Sequence, residues 1–131
     1  MRLWFDAIQP QRRTKEVEVS VTHKSLASPD DTRAFDHGQA QMVRVGEHSI
    51  RRFTFEPGWR WTTSIGPTAM TESCQAHHVG YVLSGTLHVK TNDGDEAEFG
   101  AGEAYDIQPG HDGWVVGDEP VTSVEFSGIG S

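Results

Sequence analysis

The sequence predicts an all-β fold, a single domain built as a sandwich or barrel of short strands. Three observations carry this. Gly and Pro punctuate the chain at short intervals, from Pro57-Gly58 through Gly85, Gly94, Gly100, Gly102 and Pro109-Gly110 to Pro120, leaving no room for an ordinary helix. The segments between these marks alternate apolar and polar residues, as half-buried strands do. Asn92-Asp93-Gly94 is a strong hairpin signal, because Asn and Gly accept positive φ.

The elements follow in order. Residues 1–15 form a polar N-terminal arm with a basic stretch at Gln11-Arg12-Arg13-Thr14-Lys15, and residues 16–131 form the barrel domain. Val17, Val19 and Val21 share one face, so 17–22 reads as an edge strand. Residues 24–38 read as a loop, with Asp30-Asp31-Thr32-Arg33 able to cap one helical turn. Strands are predicted at 41–45 and 50–55. Trp59 and Trp61 share a face if that stretch is extended. Further strands are predicted at 78–83, 86–91, 96–99, 105–108, 114–116 and 121–126.

Composition removes several functions. The 131 residues carry 11 Lys+Arg against 19 Asp+Glu, a net charge of -8. Nucleic-acid binding and attachment to anionic membranes both need clustered cations, so neither partner is expected. One cysteine, Cys74, excludes an intrachain disulfide and a four-cysteine zinc cluster. No apolar run approaches the roughly 18–20 residues of a membrane span, and the N-terminus lacks a secretory core, so the cytoplasm is the expected compartment. There is no phosphate loop, no nucleophile elbow and no His-Glu-x-x-His motif.

Most of the seven histidines of an acidic β protein are solvated or structurally satisfied. The run Glu72, Cys74, His77, His78 stands apart, because four potential metal donors fall within seven residues. In extended chain Glu72, Cys74 and His78 share a face, while His77 points away. Pro109-Gly110-His111-Asp112, beyond the hairpin, offers another imidazole.

Two stretches carry a family resemblance. Gly80-Tyr81-Val82-Leu83-Ser84-Gly85-Thr86-Leu87-His88-Val89 resembles the core of the first cupin motif. Gly100-Ala101-Gly102-Glu103-Ala104-Tyr105-Asp106-Ile107-Gln108-Pro109-Gly110-His111 resembles the second. The segment from Pro109 to Pro120 is similar to a bacterial cupin subgroup of small single-domain proteins without an assigned function. The likeness covers roughly residues 50–127 and implies a double-stranded β-helix, or jelly-roll barrel, often dimeric and usually with one divalent metal inside. The family's usual donors are two His and a Glu from motif one and a His from motif two. Aligned on Gly85, those motif-one positions fall on Glu72, Cys74 and His78, a departure in residue type that keeps donors in place. The motif-two position falls nearest Gly113, which cannot ligate, with His111 two residues earlier.

Two readings of this cluster stand side by side. In one, Cys74, His78 and His111 hold a divalent transition metal (Zn, Fe, Mn or Ni), with Glu72 or water completing the shell, and the barrel is a metal-dependent enzyme of oxygenase, isomerase or cyclase type acting on a small molecule. In the other, Cys74 is a buried small hydrophobe and the barrel is a non-catalytic small-molecule binding or sensor module. A thiol-centred sensor built on Cys74 and His78 is a minor third. Trp59, Trp61, Tyr81 and Trp114 are the candidate pocket aromatics, each weighed against ordinary core packing. The edge at 17–22 predicts a homodimer by strand exchange.

Overall fold

The computed structural model describes residues 20–127. The strands are β1 (Asp31–Phe35), β2 (Gly38–Val45), β3 (His48–Phe55), β4 (His78–Ser84), β5 (Thr86–Thr91), β6 (Glu96–Gly100), β7 (Ala104–Ile107), β8 (His111–Val115) and β9 (Val121–Ser127). Two single-turn helices, α1 (Trp61–Ser64) and α2 (Gly66–Ala69), lie between β3 and β4. The strands form two antiparallel sheets. A six-stranded sheet runs β1-β2-β3-β9-β4-β7, and a three-stranded sheet runs β6-β5-β8. The all-β jelly-roll expectation holds.

The core lies where the two sheets face one another. Phe55, Val82 and Val121 come from the large sheet, Leu87, Val89 and Val115 from the small one, and Trp59 and Trp61 fill the space between. Alternation places these residues: Leu87 and Val89 are two apart on β5, and Val115 shares its face with His111 and Gly113 on β8. The chain leaves β4 for β5 at Gly85, whose φ of +83° favours glycine; a Cβ there would also overlap the Pro120 carbonyl.

Registers fix the rungs across the large sheet. One rung runs Phe35, Gly38, Phe55, Val121, and the next Arg33, Ala40, Phe53, Ser123, Val82. The following rung runs Asp31, Met42, Arg51, Glu125, Gly80, Tyr105. The inner face therefore passes from apolar to charged residues along the strands.

Several expectations are corrected. Residues 24–38 are not all loop, and Asp30 caps no helix, because Asp31–Phe35 pairs with β2 across a turn at Asp36-His37. This strand has no apolar alternation to announce it; cross-strand pairing and the packing of Phe35 hold it. The Asp30 carboxylate accepts from the Arg44 backbone N–H at 2.8 Å and from Lys24 Nζ at 2.9 Å, securing the edge. Trp61 is not in extended chain but opens α1. The strand expected at 114–116 begins earlier, at His111. The arm at 1–15 and Val17 to Val19 of the proposed edge strand lie outside the described residues, and Ser20 to Thr22 are not strand.

Candidate metal centre

Cys74 precedes β4 in chain without regular structure, yet its backbone is fixed. Its N–H donates to the His111 carbonyl at 2.7 Å, and its carbonyl accepts from Gly110 N–H at 2.7 Å. This bridge ties the segment to the first residue of β8. His78 opens β4 on the inward face it shares with Gly80 and Val82. His111 opens β8 on the inward face it shares with Gly113 and Val115.

Sγ of Cys74 and one ring nitrogen each of His78 and His111 all lie within 4.8 Å of one another. That spacing lets three side chains close on one ion. The two rings meet edge to face at 5.2 Å. His78 Nε2 is 3.5 Å from the sulfur. Both outer nitrogens are occupied: His78 Nδ1 by Glu125 Oε1 at 2.7 Å, and His111 Nδ1 by the Gln108 carbonyl at 2.7 Å. A carbonyl only accepts, so His111 Nδ1 carries a proton and Nε2 is the nitrogen left for the centre. Carboxylate and carbonyl partners of this kind orient ligating imidazoles and raise their basicity. The donor set therefore fits a transition metal: thiolate and imidazole suit Zn, Fe or Ni rather than Mg or Ca. The cluster can hold a metal ion.

The electrostatics agree. Burial pushes the Cys74 thiol up, but the imidazoles of His111 and His78 beside the sulfur outweigh it and bring the thiol from 9.0 down to about 6. Burial likewise disfavours charge on His78, but hydrogen bonds to Cys74 and Glu125 outweigh it and raise the imidazole to about 10. Without an ion, the pair is thus thiolate and imidazolium at neutral pH. Glu125 also accepts from the Tyr105 hydroxyl at 2.8 Å, and burial beside that carboxylate pushes the phenol up, keeping it protonated.

A cavity of about 100 Å³ adjoins the donors. Phe53, Phe55, Trp59, Trp61, Leu87 and Val89 supply much of its apolar wall, and Gly113 and Glu125 also line it. Trp59 Nε1 is buried with no hydrogen-bond partner among the described residues.

The sequence-derived candidates separate. Cys74, His78 and His111 come together, and Trp59 and Trp61 line the cavity. Glu72 is exposed and stands outside the donor cluster, because the chain before Cys74 bends rather than continuing as strand. Tyr81 and Trp114 are outward, each three residues from an inward histidine and so of opposite parity. Tyr81 is 40% exposed, and Trp114 stacks on His88 beneath the Arg60 guanidinium. Arg60 pairs with Asp112 at 2.9 Å. His77 is exposed and bonds Asp106. Glu125 is not among the sequence-derived candidates, yet it holds His78. Its signal was parity: Val121, Ser123 and Glu125 face inward together on β9, and a carboxylate on a core face needs a partner.

No protein-family model and no curated protein matches this chain. Solved structures do. A DUF1255 protein of unknown function from Acidithiobacillus ferrooxidans aligns with a TM-score of 0.56 at 16% identity, covering 82% of this chain and 93% of that one. A protein of unknown function from Rhizobium leguminosarum aligns at 0.54 and 21% identity, covering 82% and 96%. A cupin-2 domain protein from Rhodospirillum rubrum aligns at 0.51 and 17% identity, covering 91% and 74%. At these identities the likeness concerns the fold.

Proposed function

We propose that this chain, which has the cupin jelly-roll fold, binds a small molecule at a divalent transition-metal centre formed by Cys74, His78 and His111. The convergence of three donor atoms within 4.8 Å on the wall of an apolar cavity carries this reading. Three protein donors leave a position for a ligand oxygen, and a bound divalent ion supplies Lewis acidity there. The protein's own groups do the rest. Glu125 holds His78 by Nδ1 so that Nε2 points at the centre. Tyr105 holds Glu125 in turn. The Phe55, Trp59 and Trp61 side chains exclude water, which strengthens every polar contact inside.

The thiolate–imidazolium pair supports a second reading, a metal-free binding or sensor barrel, because it satisfies the cluster without an ion. One measurement separates the two. Untagged protein is assayed for metal per chain, then offered Zn, Fe, Mn and Ni in turn. The proposal expects one ion per chain, lost in Cys74→Ala and retained in His77→Ala. No uptake of any of the four overturns it in favour of the metal-free barrel.

A further inference from the structure

A second cleft, of about 380 Å³, opens on the inner face of the six-stranded sheet. Asp31, Arg33, Met42, Arg44, Arg51 and Phe53 line most of it, all from β1, β2 and β3. No residue of the small sheet reaches it. Phe53 belongs to its wall and to the wall of the buried cavity. Arg51 stands directly across from Glu125 on the neighbouring strand, and Glu125 holds His78. The cleft and the donor cluster are therefore adjacent regions of one concave surface.

Its chemistry is unusual for this chain. Three arginines gather in one depression of a protein whose net charge is -8. Arg33 donates to Asp31, but Arg44 and Arg51 make no ion pair with any described residue. The size of the buried cavity adds a second argument. About 100 Å³ admits only a few heavy atoms, against the roughly 300–1,000 Å³ of ordinary ligand pockets. A ligand reaching the donors with one end has to extend past Phe53, and the arginines lie on that side.

We infer that the Arg33–Arg44–Arg51 cleft is an oxyanion subsite, which takes the carboxylate or phosphate of a small molecule whose other end reaches the donor cluster. Guanidinium forks match the oxygens of either group two at a time, which an ammonium cannot do. The placement of the anion rests on the cleft alone. The statement that the ligand's other end meets a metal rests on the reading given under Proposed function.

The experiment titrates the full chain, metal-free and metal-loaded, with succinate and with inorganic phosphate by calorimetry at low salt. Saturable binding of at least one is expected, and the tighter of the two identifies the headgroup. Arg44→Gln and Arg51→Gln should each weaken it tenfold or more, with far-UV circular dichroism unchanged. Cys74→Ala should abolish metal uptake and leave the affinity for inorganic phosphate, which occupies the cleft alone, at the value of the metal-free chain, so the subsite and the metal centre fail separately. Absence of saturable binding, or binding indifferent to both arginine substitutions, overturns the subsite. A dimer in sedimentation that dissociates on Arg44→Gln, with no anion bound by either species, also overturns it, since the cleft would then be covered by a second copy.

Discussion

The inner face of the large sheet carries two surfaces of opposite character, only two rungs apart. On one rung Phe35, Gly38, Phe55 and Val121 pack towards the core that the small sheet closes. Two rungs on, Asp31, Met42 and Arg51 stand in the open cleft, and the same rung enters the closed region only at Glu125. The backbone is the same antiparallel ladder throughout. What differs is the cover: where β5 and β8 face the sheet, side chains are apolar or, Trp59 Nε1 and Ser123 Oγ apart, partnered, and where they do not, arginines replace them. A carboxylate at the boundary is tolerated because His78 and Tyr105 satisfy both its oxygens.

The contrast can be broken by substitution. The largest effect is expected at the closed end. Phe55→Ala removes a buried ring stacked between Phe53 and Trp59 and should cost about 3–5 kcal/mol in denaturant unfolding; a loss under about 1 kcal/mol would mean that the closed end is not the stabilising one. At the boundary, Glu125→Gln leaves His78 oriented by a weaker, neutral acceptor. Metal affinity in a competition assay should fall roughly 10–100-fold, and an unchanged affinity would remove Glu125 from the centre.

Proton release sharpens the same point. With the thiol at about 6 and His78 at about 10, a metal ion entering between those values displaces about one proton, that of the His78 Nε2. Below about 6 the thiol adds a second, and above about 10 the release falls away because His78 is already neutral. Calorimetry in buffers of different ionisation enthalpy reads this number, and a release that does not change on crossing about 6 and about 10 would contradict the ion pair. The smallest effect belongs to the open end. Arg44→Ala should shift stability by no more than about 0.5 kcal/mol, since its side chain pairs with no described residue. A larger loss in the same unfolding assay would make the cleft structural.

Strand periodicity was legible wherever one face is buried, as at β4, β5 and β9, because alternation is the direct imprint of a two-faced environment. It was silent at β1, whose Asp31, Thr32, Arg33 and Ala34 are all exposed and whose pairing depends on a neighbour. Cys74 and His78 of the donor cluster were legible from residue type and parity together, and His111 from residue type, since the turn before it hides its parity. Tyr81 and Trp114 were misplaced when residue type was followed and parity set aside: each lies an odd number of residues from an inward histidine. Glu125 lies the other way: its inward parity with Val121 and Ser123 can be read, but a single Glu in a strand carries no sign of the His78 and Tyr105 it meets. The arginine cleft could not be read at all, since Arg33, Arg44 and Arg51 meet only through the registers of three strands.

The absence of a side chain at Gly80 has a consequence for what sequence change can do to the centre. Gly80 sits across from Tyr105, and a Cβ there would stand 2.6 Å from the Tyr105 hydroxyl. It would also stand 2.4 Å from the Val124 carbonyl, so one methyl group at a position with no chemistry of its own would strain the β4–β9 pairing and crowd the phenol that holds Glu125. The donor end of the barrel thus depends on a residue that is itself no donor, and a search for functional side chains would pass over it.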